Sequence, residues 1–156
     1  GRSRWRSRRC SVSACIARSR FVHVADHALY RGLAAAALAT TAAGAQRRLH
    51  RKTLRSSLRR LKRWATEGPD FAHMALLLDA ERTRLAGGVR QARALYERAS
   101  QRAKQQEFTL HAALAHERLA RMHADLGRHA EAALELGKAS ALYQGWGMQG
   151  KTDPAS

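Results

Sequence analysis

The stretch Gly145-Trp146-Gly147-Met148-Gln149-Gly150-Lys151-Thr152 fits the phosphate-binding pattern G-x-x-x-x-G-K-[ST]. That loop works when a strand leads in and a helix leads out, so that backbone N–H groups and the helix N-terminus surround the phosphates. Here a helical pattern leads in, and only Asp153 to Ser156 lead out. The residues predict no nucleotide site and no cofactor. His23 and His27 lie four apart on one helix face beside Asp26, which is half of a metal site. No second pair has a useful spacing. His111, His116 and His123 fall on another helix, and His116-Glu117-Arg118-Leu119-Ala120 lacks the second histidine of a zinc-protease motif. The imidazoles are therefore expected on the surface or partly packed, with no metal. Glu81 and Glu117, near Arg84 and Arg121, read as intrahelical ion pairs worth roughly a few tenths of a kcal/mol. Trp64 and Trp146 read as packing plugs that close helical units. No Ser-His-Asp arrangement follows from spacing. No catalytic, cofactor-binding or metal-binding residue is expected, and the chain is not expected to be an enzyme.

Elements that could position any of these side chains must be helical. The chain of 156 residues carries 32 alanines, and alanine is the best helix former. The β-branched aliphatics that sheets need are confined to Val12, Ile16, Val22, Val24 and Val89. Apolar residues recurring at three and four predict a helix over 22–44 through Val24, Ala28, Leu29, Leu33, Ala36, Ala37 and Leu38, ended by Gly44. A second, over 46–66, carries Leu49, Leu54, Leu58, Leu61 and Ala65 as one stripe, with arginines and lysines around the rest; Gly68-Pro69 breaks it. Asp70 is the expected N-cap of a third, over 70–86, with Met74, Leu77, Leu78 and Leu85 inward. Three more follow over 89–104 (Ala92, Leu95, Tyr96, Ala99, Ala103), 107–126 (Leu110, Leu114, Leu119, Met122) and 129–144 (Ala132, Ala133, Leu136, Ala139, Tyr143).

Helices three and four repeat as five and six. Gly87, Ala92 and Ala99 map onto Gly127, Ala132 and Ala139, each 40 residues on. Glycine supplies the left-handed turn between paired helices, and alanine sits where helices approach closely. A two-helix unit near 40 residues predicts an all-α superhelix of stacked, tetratricopeptide-like helix hairpins, about six helices in all.

Charge divides the chain. Residues 1–63 hold 17 Lys/Arg against one acid, Asp26, whereas 64–156 hold 12 against 11. Residues 1–20 have seven arginines and no sustained period, so we expect a disordered basic tail. The helical repeat domain is then 21–147, and 148–156 a flexible C-terminal end. Cys10 and Cys15 make no disulfide framework. No secretory signal is visible, and the uncharged run Gly32 to Ala45 is too short to span a bilayer. A soluble, cytoplasmic chain without membrane insertion is expected. Gly1 at the start and the uncapped Lys151–Ser156 end lead us to expect a fragment of a larger protein.

From about Asp26 the sequence resembles the late helical region of large bacterial signalling proteins. Those combine a serine/threonine kinase, a P-loop ATPase, tetratricopeptide-like helices, a GAF domain and a sensor histidine kinase. The resemblance rests on an ordered set. Leu58 to Leu61 precede Trp64-Ala65, then Pro69, Phe71 and His73. Leu77-Leu78-Asp79-Ala80-Glu81 and Leu85 follow, then Leu95-Tyr96-Glu97-Arg98-Ala99 and Ala113-Leu114-Ala115-His116-Glu117. Tyr143-Gln144-Gly145-Trp146-Gly147 closes it. Thr152-Asp153-Pro154 depart from the apolar residues that lead into the GAF domain in that family, and residues 1–20 match none of it. The resemblance implies a non-catalytic interaction or regulatory segment whose partners are protein: neighbouring signalling domains, or a second copy. The alternative is a small, basic nucleic-acid-binding helical protein.

Overall fold

A computed structural model describes residues 12–149, with side chains placed over 20–147 except at position 69. Among these residues the chain forms six α-helices and no strand. They are α1 (Val12–Thr41), α2 (Gly44–Glu67), α3 (Ala72–Leu85), α4 (Val89–Gln105), α5 (Thr109–Asp125) and α6 (His129–Gln149), with a 3-10 turn at Pro69–Phe71. None of the described helices is long and apolar enough to cross a membrane.

Several boundaries differ from expectation, each for a local reason. Helix α1 begins at Val12, so 12–20 carry helical backbone where a disordered tail was expected. No glycine or proline lies between Val12 and Arg31 to stop the helix extending backwards. Residues 1–11, and the expected flexible end beyond 149, lie outside the described residues. Gly44 does not end α1: it opens α2, with φ +54°. Helix α1 stops at Thr41, where the Thr40 and Thr41 hydroxyls donate back to the Ala36 and Leu38 carbonyls at 3.0 and 3.4 Å. Asp70 sits in the 3-10 turn, and α3 starts after Phe71 with no side-chain cap bond.

Three later turns share one geometry. At α3–α4, the Gly88 N–H donates to Thr83 O at 3.0 Å around Gly87 (φ 87°). At α5–α6, the Arg128 N–H donates to His123 O at 2.9 Å around Gly127 (φ 73°). At α4–α5, the Phe108 N–H donates to Ala103 O at 2.8 Å around Glu107 (φ 63°). Each is a helix C-terminus closed by a six-to-one bond with a left-handed residue. The turns therefore recur every 20 residues, but the middle one uses a glutamate where glycine is unstrained. Glu107→Gly is expected to raise stability by about 0.5–1 kcal/mol, read as a higher urea midpoint. An unchanged or lower midpoint would mean the Glu107 side chain contributes more than its backbone strain costs.

Successive helices pack on one another, and α1 also packs on α3, and α3 on α5. Leu29, Leu54, Leu61, Met74, Leu77, Leu78, Tyr96 and Leu119 form the fully buried centre. Ala92, Ala99, Ala132 and Ala139 are buried as expected from the repeat. Some expected core positions face out instead: Val24, Leu38, Leu49 and Leu136 are exposed. Helix α6 packs on α5 through the stripe Ala132, Glu135 and Ala139, and Leu136 falls at the exposed edge of that stripe, beside Ala139.

Gly32 of α1 lies directly against Leu78 of α3. A Cβ there would stand 2.5 Å from Leu78 Cδ1, and Leu78 is itself fully buried. Gly32→Ala is expected to destabilise by about 1–3 kcal/mol through overpacking, despite a gain of about 1 kcal/mol in helix propensity. Chemical unfolding of the variant at or above the parent's stability would show that α1 and α3 separate at no cost.

Candidate functional site

Three sets of polar side chains are buried where the helices meet. The first centres on Glu81 of α3, which is fully buried. Tyr96 Oη of α4 donates to its Oε1 at 2.9 Å, and Arg118 Nε of α5 donates to the same oxygen at 2.6 Å. Arg84 donates to Oε2 through Nη2 at 2.9 Å, and the same nitrogen reaches Thr40 Oγ1 of α1 at 3.3 Å. Burial pushes the Glu81 carboxyl upward, but the two guanidiniums overcome that and hold it below its ordinary value. Tyr96 is driven upward, first by burial and then by Glu81, so it stays a phenol and a donor. The expected Glu81–Arg84 pair exists, but it is part of a four-helix cluster rather than a surface pair. Glu117 accepts from Tyr143 Oη at 2.9 Å.

The second set is a histidine pair. His73 Nε2 and His111 Nδ1 are 2.8 Å apart, and His73 Nδ1 is 3.0 Å from Gln106 Oε1. Phe108 stacks on His111 with centroids 5.4 Å apart. Asp26 Oδ1 lies 3.2 Å from His111 Nε2, out of line for a hydrogen bond. A single proton serves the contact between the rings, whichever nitrogen donates it. Burial lowers both imidazoles to about 4, with repulsion from His111 adding to the effect on His73. Both rings are neutral at pH 7. Burial raises the Asp26 carboxyl, against the pull of His23 and His73.

The third set has the atoms of a nucleophile relay. Ser100 Oγ of α4 is 2.7 Å from His116 Nε2, and His116 Nδ1 is 2.6 Å from Glu135 Oε2 of α6. Lys138 donates to the other Glu135 oxygen at 2.8 Å. Serine, imidazole and carboxylate are thus in catalytic order. A working site also needs an approach for substrate and donors aimed at an oxyanion. Ser100 is 3 % exposed and lies within helix α4, where its N–H is committed to the helix ladder. The arrangement ties α4, α5 and α6 together.

The four histidines His73, His111, His116 and His123 are buried, deeper than the surface or partly packed placement expected. His23 and His27 are exposed on α1, and among the described residues no three metal-ligating side chains converge. Trp64 is half-buried with the Arg60 guanidinium 5.2 Å over its ring, as a plug would be. Trp146 is exposed and plugs nothing. Gly145 to Gln149 continue helix α6, while Gly150, Lys151 and Thr152 lie outside the described residues.

The missed partners had a signal in the sequence. Across a tight antiparallel turn, residues equally distant from the turn face each other. Glu81 and Tyr96 lie seven residues before and eight after Gly88, and Ser100 and His116 lie eight on either side of Phe108. No family model, no curated protein and no solved structure matches this chain.

Proposed function

We propose that this chain is a non-catalytic helical-repeat interaction segment of a multidomain bacterial signalling ATPase or kinase, built as a tetratricopeptide-like superhelix of three helix pairs. The observation that carries this reading is the Glu81 cluster: one buried carboxylate takes donors from the second and third pairs, and its partner Arg84 donates onward to Thr40 of the first. Such cross-links fix the order in which hairpins stack, and stacked hairpins present extended surfaces rather than pockets. The polar groups with catalytic identities are spent on these cross-links. On this reading the chain acts in the cytoplasm and transmits or regulates by packing against neighbouring domains of its parent.

Isothermal titration of the purified chain with separately expressed adjoining domains tests it. The expected result is a saturable one-to-one complex with at least one of them, and no ester or nucleotide turnover above the level of a Ser100→Ala variant. Turnover abolished by that substitution, or heat from none of the adjoining domains, would overturn it.

A further inference from the structure

Helix α2 places Arg48, Arg51, Lys52, Arg55, Arg59 and Lys62 along the flank that meets α3. Across from them stand Arg82 of α3 and Arg98 and Arg102 of α4. Three hollows of about 320, 440 and 530 Å³ lie between these walls. They adjoin one another, because Arg55 and Arg82 line the first and second and Lys62 lines the second and third. The result is a groove of three adjoining hollows, crossed where Lys62 reaches Asp79. Its only acidic lining residue among those described is Asp79, which already pairs with Arg82 at 2.7 Å and Lys62 at 3.2 Å. Arg51 donates to the Leu85 carbonyl at 2.8 Å, which anchors one wall. The remaining guanidiniums have no carboxylate within salt-bridge distance among the described residues.

We propose that this groove binds an acidic, amphipathic helical segment of a partner protein. The proposal rests on the reading of the chain as a protein-binding scaffold and names the surface and the partner's chemistry. Charge alone admits any polyanion, since guanidinium forks suit carboxylate and phosphate equally. The floor decides between them. Half-buried Leu76 and Leu85 give the floor its apolar surface, backed by the buried Leu54, Leu58 and Ala75. A sugar–phosphate backbone has nothing apolar to set on such a floor. No aromatic ring lines the groove to stack a base, which single-strand binding sites use. An amphipathic helix has both requirements, apolar anchors at i, i+3, i+4 and i+7 and carboxylates flanking them. Arg48 and Lys62 are fourteen residues apart on α2, about 21 Å of helix, which is the length of a four-turn partner helix laid alongside.

Fluorescence anisotropy with the full chain tests the assignment. The probes are a labelled 16-residue peptide with leucines at helical spacing and glutamates on either side, a scrambled peptide of the same composition, and a 20-nucleotide single strand and duplex, all at one ionic strength. The expected result is saturable one-to-one binding of the patterned peptide, at least about tenfold tighter than the scrambled one. The exposed double charge reversal Arg55→Glu/Arg59→Glu is expected to weaken it by about tenfold or more, with an unchanged circular dichroism melt. Equal affinity for both peptides, or an unaffected double variant, overturns the groove assignment and leaves the scaffold reading to its own titration. Tighter binding of either oligonucleotide, lost in the double variant, overturns both.

Discussion

Lowering the pH from 7 to 4.5 is expected to cost this fold several kcal/mol, on the order of 3 for each ring of the His73–His111 pair that must take up a proton. Both imidazoles sit at about 4 when folded, against an ordinary value of 6.5. Between those values the unfolded chain binds protons that the folded chain refuses. Stability is therefore complete above about pH 6.5 and drains away as the pH falls towards 4. The two contributions do not simply add, because His111 contributes to the depression of His73. Asp26 and Asp70 oppose the trend, since a carboxylate beside His73 favours its charged form. Asp26 is itself raised by burial, which weakens that opposition in acid. Urea unfolding at half-unit pH steps checks the slope, and the double variant His73→Leu/His111→Leu is expected to flatten it. An equal slope in parent and variant would place the acid sensitivity elsewhere.

Glu81→Ala is expected to destabilise the chain by about 3–5 kcal/mol, the usual cost of removing one partner from a buried ionic group. The substitution strands Arg84 and Arg118, whose side chains are 13 % and 10 % exposed, and leaves the Tyr96 hydroxyl without its acceptor. A domain of this size has only about 5–15 kcal/mol to lose, so a large fraction of the molecules is expected to unfold on mild heating. Removing the charges together should behave differently. Glu81→Leu/Arg84→Met/Arg118→Met is expected to recover most of the loss, because no desolvated charge remains. The comparison is made by thermal melts of the three proteins. A single substitution costing under about 1 kcal/mol would show the guanidiniums reaching water without the carboxylate.

Much of this architecture was legible in the residues. Six helices followed from periodicity, and the breaks at Gly87 and Gly127 followed from glycine's access to positive φ. The break at Glu107 was legible only through its neighbours, because a glutamate in the left-handed region carries no compositional mark. Gly44 misled for the opposite reason: a glycine between two helices can belong to either. The polar interior was harder to see. Amphipathic reading assigns polar residues outward by construction, so it does not anticipate the burial of His73, His111, His116 and Glu81. Helix α3 buries Met74, Leu77 and Leu78 and also His73 and Glu81, so it has little outward face left. The groove was half legible: α2's cations were evident, but their partners on α3 and α4 come together only once the helices are packed.

The regular interval between turns has a consequence for how such a chain can change length. Odd-numbered helices pack on the next odd-numbered helix, α1 on α3 and α3 on α5, while the corners at Gly87, Glu107 and Gly127 fall 20 residues apart. Copying a 40-residue stretch in tandem would add one hairpin and leave every older corner in phase. Copying 20 would hand each downstream helix the neighbours meant for its predecessor, and charged side chains would be driven into seams shaped for alanine. Growth by whole hairpins is thus written into the spacing itself.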